Sequence, residues 1–227
     1  MKIVLATRNR KKLEELRRIA QVPGFEILSL DACPDCPEVV EDGDTFEHNA
    51  LKKAREVAQH CGHWALADDS GLVVDALDGA PGVFSARYAG AGAGDADNLA
   101  LLMTRMASHP WSEQRSARFV CVLALADAAG RSCLFHGRVE GRLALSPRGS
   151  NGFGYDPAFI PASQLALDLP EAQCRTFAQL SPQDKDAESH RGRAMAAFAA
   201  ALALQGVGLL DAAGDRSRSP QVGRCGV

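Results

Sequence analysis

The sequence reads as an α/β protein, and three stretches carry that reading. Lys2 to Ala6 is a short apolar run followed at once by Thr7-Arg8-Asn9-Arg10-Lys11-Lys12, then by Leu13, Leu16 and Ala20 at helical spacing, so the chain opens strand, basic turn, helix. From Thr45, the residues Phe46, Ala50, Ala54, Val57, Ala58 and Cys61 form the apolar stripe of a second helix. Ala117 to Ala126 is apolar on both alternations, which predicts a strand covered on both faces, and Asp127-Ala128-Ala129-Gly130 turns it into a partner strand over Ser132 to Val139.

The remaining elements fall between these. Phe25 to Leu30 predicts a strand, and Ala32 to Val40 a loop bearing proline and cysteine. Trp64-Ala65-Leu66 and Leu72-Val73-Val74 are apolar runs interrupted by Ala67-Asp68-Asp69-Ser70-Gly71, read here as a break in an extended segment. Gly79-Ala80-Pro81-Gly82 predicts a tight loop, and Ser85 and Arg87 share one side of a following extended segment. Asp95 caps a helix whose buried stripe is Leu99, Leu102, Met103 and Met106. Ser181-Pro182-Gln183-Asp184 is a helix start with serine at the cap, proline inside it and an acid three residues on. Lys185 and His190 stand five apart, so an uninterrupted helix would not put them on one face; either the helix kinks near Ser189 to Gly192, or the two reach a site from different angles. Residues 1–206 read as one domain and 207–227 as a disordered tail.

Bulk properties exclude several classes. The chain has 227 residues, 46% hydrophobic and 23% charged, ordinary for a globular protein with a sizeable core. A formal net charge of −3 gives no overall attraction to nucleic acid or to an anionic membrane, so any anion site must be a local basic cluster. No apolar run approaches membrane-spanning length and the first residues lack a signal-peptide core, which makes the cytoplasm the expected location. Seven cysteines, an odd number with several inside apolar runs, predict reduced thiols rather than a disulfide framework.

Three stretches carry chemistry. Neighbouring side chains of a strand point to opposite faces, so Asp68 and Asp69 have different jobs, one facing a site and the other tying down local backbone. A carboxylate on a rigid strand is a good ligand for Mg2+, and an Asx-turn at a strand end is the plainer reading. The basic turn Thr7–Lys12 surrounds a helix N-terminus, with Thr7 or Asn9 as cap; cations are disfavoured there unless an anion arrives, which points to phosphate. The glycine-rich Gly149-Ser150-Asn151-Gly152-Phe153-Gly154-Tyr155-Asp156-Pro157 lets backbone approach a flat ligand while a ring stacks on it, or is simply a turn with core aromatics. The acids of Val40-Glu41-Asp42-Gly43-Asp44 either partner a helix dipole or supply a second metal ligand.

In order along the chain, Val4-Leu5-Ala6-Thr7 with Asn9 and Lys12, Thr45-Phe46 with Asn49-Ala50, Ala67-Asp68-Asp69-Ser70-Gly71-Leu72, Gly79-Ala80-Pro81-Gly82, Ser85-Ala86-Arg87-Tyr88, Gly152-Phe153-Gly154-Tyr155-Asp156-Pro157 and Ser189-His190-Arg191-Gly192 resemble the inosine triphosphate pyrophosphatase family, the Ham1/RdgB type of non-canonical purine nucleoside triphosphatase. The resemblance runs from about Lys2 to about Leu204. It implies an α/β fold with a long central mixed sheet flanked by helices, two lobes with the active-site cleft between them, and a homodimer acting on a small nucleotide, without nucleic acid or membrane. It implies Mg2+-dependent hydrolysis of dITP, ITP, XTP and dXTP to the monophosphate and pyrophosphate. Carried over by position, Thr7, Arg8, Asn9, Arg10, Lys11 and Lys12 hold the triphosphate, Asp69 binds Mg2+ and accepts a proton, and Glu41 is a second metal ligand. Ser70 contacts substrate; Phe153, Gly154, Tyr155 and Asp156 hold base and sugar; Lys185, His190 and Arg191 close on base and phosphates. Two departures from the family pattern stand out: Arg8 and Lys11 replace glycines common in the phosphate turn, and Val40-Glu41-Asp42 stands where the acidic metal partner usually lies in a Glu-Glu pair before the glycine. Competing readings are a pyrophosphatase for pyrimidine or modified triphosphates of the Maf-like kind, and a nucleotide-binding module without turnover, against which the paired aspartates speak.

Overall fold

The computed structural model describes residues 2–20, 25–167 and 169–205; the expected tail at 207–227 lies outside them. Strand β1 (Lys2–Leu5) is short, and its Ile3, Val4 and Leu5 are buried to both sides. It lies parallel between β2 (Glu26–Ser29) and β3 (Trp64–Val74). Strand β4 (Ser116–Ala126) runs antiparallel to the whole of β3 from Ala65 to Val74. Strand β5 (Ser132–Leu143) returns beside β4, and β6 (Phe159–Pro161) closes the edge of a six-stranded mixed sheet ordered β2-β1-β3-β4-β5-β6.

Period-two alternation assigns the strand residues to two apolar clusters. Ile3, Leu5, Leu66, Leu123 and Leu125 meet Leu16 of α1 (Arg10–Ile19) and Met195, Phe198 and Leu202 of α6 (His190–Gln205). Val4, Ala65, Ala67, Val122 and Ala124 meet Ala50, Ala54 and Val57 of α2 (Phe46–Cys61) on the opposite face. A third cluster begins at Leu72 and Val74 and gathers Phe119, Val139, Phe159 and Phe177 with Leu102 of α3 (Asp95–Arg105). Helices α4 (Ala162–Leu165) and α5 (Pro182–Glu188) are the other α-helices among the described residues.

The unequal lengths of β1 and β3 open the cleft. Pairing between them ends at Leu66, whose carbonyl accepts from the Ala6 N–H at 2.8 Å, and the chain then turns into α1. Beyond that point β3 keeps β4 on one side but loses β1 on the other until Val73 bridges Pro81. Asp68, Asp69, Ser70 and Gly71 occupy this open edge, between the apolar clusters that end at Ala67 and resume at Leu72.

Several expectations need correction. The Ala67–Gly71 segment is no break: β3 is continuous over Trp64–Val74, with Asp68 paired to Leu123 and Asp69 to Val122. Cations from other elements stand against both carboxylates, Lys12 and Arg191 at Asp68 and Lys53 at Asp69, which lets acids stand inside a strand. Ser85 and Arg87 lie in a 3-10 turn over Gly82–Arg87, not in an extended segment; the Ser85 hydroxyl donates to Gly82 carbonyl at 2.6 Å and accepts from Leu72 N–H at 2.9 Å. The α3 cap is Gly94, whose N–H donates to the Asp97 carboxylate at 2.9 Å, and Asp95 begins the helix. Thiols were expected throughout, but Cys33 and Cys61 form a disulfide, their Cα atoms 5.9 Å apart, because the turn after β2 folds back on the end of α2. The kink at Ser189 is present: α5 ends at Glu188, Ser189 is extended at ψ 160°, and α6 restarts at His190.

Gly137 of β5 lets α6 come close, since a Cβ there would overlap His190 carbonyl and the Ala194 amide. Gly137→Ala is therefore expected to destabilise the protein by about 1–3 kcal/mol and to displace the start of α6. Denaturant unfolding measures the first effect, and wild-type stability in the variant would contradict this packing.

Candidate active site

The cleft is a cavity of about 290 Å³ bounded by Thr7, Arg8, Asn9, Lys12, Glu41, Lys53, Asp69, Ser70, Phe153, His190, Arg191 and others. Two groups of charges meet there, one on each face of β3. On the α1/α6 face Asp68 is 2% exposed. Its Oδ1 lies 3.0 Å from Lys12 Nζ, and its Oδ2 accepts from Arg191 Nε at 3.1 Å and from the Ser70 hydroxyl at 2.9 Å. Burial alone would raise this carboxyl, but Lys12, Arg191 and Lys53 together hold it well below the usual carboxylate range.

The pairing continues from Arg191. Its NH1 donates to Glu15 Oε2 at 2.8 Å and its NH2 to Ser70 Oγ at 2.7 Å. Glu15 Oε1 lies 3.1 Å from Lys185 Nζ, which donates to Asp156 Oδ2 at 2.7 Å. The same Asp156 oxygen accepts from Phe153 N–H at 2.8 Å, and Gly152 and Gly154 take φ of 72° and 60° to shape that loop. Burial opposes the charge on Glu15, yet Arg191 and Lys185 outweigh it and lower its pKa; at Asp156 burial prevails over Lys185 and raises it. Lys185 Nζ and the Arg191 guanidinium lie 5.0 Å and 5.2 Å from the Phe153 ring centroid. His190 stacks on Phe119 at 4.7 Å; burial, then Arg191 and Lys185, keep it neutral, and its buried Nδ1 has no hydrogen-bond partner among the described residues.

On the α2 face Lys53 Nζ donates to Glu41 Oε1 at 2.6 Å, to the Asp68 carbonyl at 2.7 Å and to Asp69 Oδ1 at 3.4 Å. Burial lowers the Lys53 pKa, but Asp69, Asp68 and Glu41 outweigh it and raise it. Burial raises the Asp69 carboxyl beyond what Lys53 and Lys12 can offset. Asn49 is fully buried; it accepts from Gly43 N–H at 2.8 Å and donates to Asp69 Oδ2 at 3.3 Å, so one amide ties the acidic loop to the aspartate. Arg87 donates to the Glu41 carbonyl at 3.1 Å from the other side.

The structure thus brings Thr7, Arg8, Asn9, Lys12, Glu41, Asp69, Ser70, Phe153, Gly154, Tyr155, Asp156, His190 and Arg191 to one cavity. Asn9 is the α1 cap, its side chain accepting from Lys11 N–H and Lys12 N–H at 3.0 Å and 3.2 Å. Arg8 donates to the Cys36 carbonyl. Arg10 and Lys11 do not line this cavity; Lys11 pairs with Asp95 at 2.6 Å and, with Lys185, borders an adjoining cavity of about 220 Å³. The Tyr155 hydroxyl is committed to the Ser85 carbonyl at 2.8 Å. Sequence reasoning did not place Lys53 or Glu15 in the site. In the sequence Lys53 stands one turn from Asn49, off the apolar stripe of its helix, and Glu15 carries no signal beyond its charge.

Glu41 and Asp69 converge on the single cationic point of Lys53 Nζ, while the described residues hold no cluster of three or more His, Cys, Asp or Glu side chains at metal-binding range. Two carboxylates gathered in one cavity are a donor set of the kind Mg2+ takes, since it keeps several waters and substrate phosphates among its other ligands.

Together these features define an α/β protein with a charged ligand cleft at the open edge of a mixed sheet. A family model described as the Ham1 family matches residues 3–201. The dITP/XTP pyrophosphatase of Geobacter sulfurreducens is 48% identical over 206 residues, covering 91% of this chain and 98% of that protein. The enzyme of the same name from Mycobacteroides abscessus is 48% identical over 201 residues, covering 87% of this chain and 93% of that one. Among solved structures, a HAM1 protein from Coxiella burnetii superposes with a TM-score of 0.78 at 40% identity, covering 90% of this chain and 99% of that one. The chain belongs to the Ham1 family.

Asp68 and Glu15 stay ionised in the folded state at pH values where the unfolded chain has protonated them. Their stabilisation is complete above the usual carboxylate value of about 4 and is lost as pH falls through their lower folded values. Asp68→Asn is expected to cost about 3–5 kcal/mol at neutral pH, because Lys12 and Arg191 lose their shared counter-ion. It should also flatten the decline of Tm with acidification between about pH 5 and 2. Thermal melts across pH measure both, and an unchanged slope would remove Asp68 as the source.

Proposed function

We infer that this protein hydrolyses non-canonical purine nucleoside triphosphates, dITP and ITP with XTP and dXTP, to the nucleoside monophosphate and pyrophosphate. One observation carries the reading: Lys12, at the mouth of α1, and Asp69, on the open edge of β3, line the same cavity together with Phe153 and Arg191. The relatives named dITP/XTP pyrophosphatase support it over the length of the described fold.

The reaction is attack of water on the α-phosphorus, with the oxygen of pyrophosphate departing and negative charge growing on the phosphoryl oxygens. Such chemistry is accelerated mainly by positioning and by cations set around that charge. Lys12 supplies one and the first turn of α1 supplies a positive dipole end. Asp69 accepts the proton of the attacking water, a task its raised pKa suits. Lys53 and Asn49 orient its two oxygens. We propose Mg2+ as cofactor, held by Glu41 and Asp69; when bound it supplies charge neutralisation and a more acidic water.

Arg191 spends three of its five N–H groups on Asp68, Glu15 and Ser70, which leaves two in a fixed plane for a ligand. These donors match the 6-oxo group of hypoxanthine and xanthine. Adenine places an amino group there, and such a mismatch can discriminate by about four orders of magnitude. Action on free nucleotides suits a cytoplasmic enzyme, and we propose a homodimer; among the described residues no helix is long and apolar enough to cross a membrane.

Pyrophosphate release from a triphosphate panel with Mg2+ tests the assignment. ITP, dITP and XTP should turn over with ATP far behind, and equal cleavage of ATP and ITP would show that Arg191 does not read the base. Asp69→Asn should abolish turnover while leaving the melting curve cooperative. Lys53→Met should lower kcat by roughly 10²–10³, the scale of losing one preorganised charge contact. A Lys53→Met enzyme as fast as wild type would place Lys53 outside the mechanism.

A further inference from the structure

The Cys33–Cys61 disulfide joins two structures that both bound the cleft. Cys33 ends the 3-10 turn over Leu30–Ala32 and opens the tight turn in which Cys36 N–H donates to Cys33 carbonyl at 3.0 Å. The residues that follow, Pro37, Glu38, Val39 and Glu41, form a wall of the cavity. Cys61 is the last residue of α2, whose Lys53 and Val57 form the adjacent wall. The bond closes a ring 28 residues in separation that contains Glu41, Asn49 and Lys53. The ring also reaches the phosphate turn, because Arg8 donates to the Cys36 carbonyl. Both bonded cysteines are half-buried, within reach of a small thiol, whereas Cys36 and Cys121 are buried and carry no disulfide.

We propose that Cys33 and Cys61 are a reversible thiol–disulfide site that latches the 33–45 segment against α2 and so sets how tightly the cleft holds its substrate. Between Cys36 and α2 this segment contains no regular element, so its conformational freedom is set by its ends and by the bonds from Asn49, Lys53 and Arg87. Closing the ring removes open conformations of the segment before ligand arrives, and preorganisation of this kind improves binding by lowering the ordering cost. The oxidant is a small-molecule disulfide. One cysteine thiolate attacks it, forming a mixed disulfide and releasing one small thiolate. The second cysteine thiolate attacks the protein sulfur of that mixed disulfide and releases the other. Two electrons pass to the reagent, and the two thiol protons end on its thiols.

The test compares fully reduced wild-type protein with the same protein treated with oxidised glutathione. Peptide mapping after alkylation should find Cys33 joined to Cys61 in the treated sample only. Hydrogen exchange over residues 33–45 should slow on oxidation. The kinetic arm rests on the function proposed above: KM for ITP should fall by about fivefold on oxidation, with kcat little changed. Cys61→Ser and Cys33→Ser, each checked for a cooperative melt, should show the reduced enzyme's exchange and KM under both conditions. Failure of the pair to form, or its formation without change in exchange over 33–45, overturns the latch. So does a response to oxidant that survives in both variants. A protein that turns over no triphosphate would defeat the functional reading and leave the exchange measurement to decide the latch.

Discussion

The site depends on one buried carboxylate held between two cations. Asp68 lies inside a strand, where an ionised acid is costly, and Lys12 and Arg191 reach it from helices at opposite ends of the chain. Without the acid, both cations would face each other across a buried space with nothing between them. With it, the mouth of α1 and the start of α6 are held at fixed distance from β3. Glu15 repeats the device one turn along α1, and Asp156 repeats it beyond Lys185. Cation and acid alternate from Lys12 to Asp156, and the backbone of the glycine-rich loop ends the chain through Phe153 N–H. A ligand entering the cleft meets groups whose positions are already determined, and this is what preorganised electrostatics requires.

The location of this network follows from strand length. Had β1 continued beside β3 past Leu66, the edge at Asp68–Gly71 would be paired and closed. Instead the chain leaves the sheet at Ala6 and enters a helix capped by Asn9, so backbone N–H groups and Lys12 occupy the space a strand would have filled. The apolar clusters change over at the same point, because Asp68 to Gly71 supplies no large apolar side chain to either.

Much of this was legible along the chain. Lys2 to Ile19 could be read as strand, basic turn and helix because local pattern and final environment agree there. The hairpin after Ala117 and the helix after Thr45 are legible for the same reason. The spacing of Lys185 and His190 already left a break near Ser189 as one of two ways for both to reach a site, and the chain does break there. The Asp68–Asp69 pair misled in one respect. Acids are depleted in strands, so local reasoning favoured a break, while the cations that permit a continuous strand come from positions 12, 53 and 191. Cys33 and Cys61 misled similarly, since an odd cysteine count says nothing about which two thiols the fold brings side by side.

Lys53 shows the limit most clearly. Its sequence neighbourhood is an amphipathic helix with a charged face, and a lysine there is ordinarily solvated. It is 8% exposed because the acidic loop before α2 folds over it and the Asp68 carbonyl, on the open strand edge, accepts a hydrogen bond from its ammonium. The geometric consequence runs back to the sheet. A carbonyl at this position would bond a neighbouring strand if β1 were longer, so the strand edge that makes the cleft also creates the acceptor that draws the lysine in. Glu41 and Asp69 then gather on the ammonium, and Asn49 fixes the loop to the aspartate. The acidic pair is therefore assembled by a cation already present in the chain, and the opening of the sheet comes first in that sequence of causes.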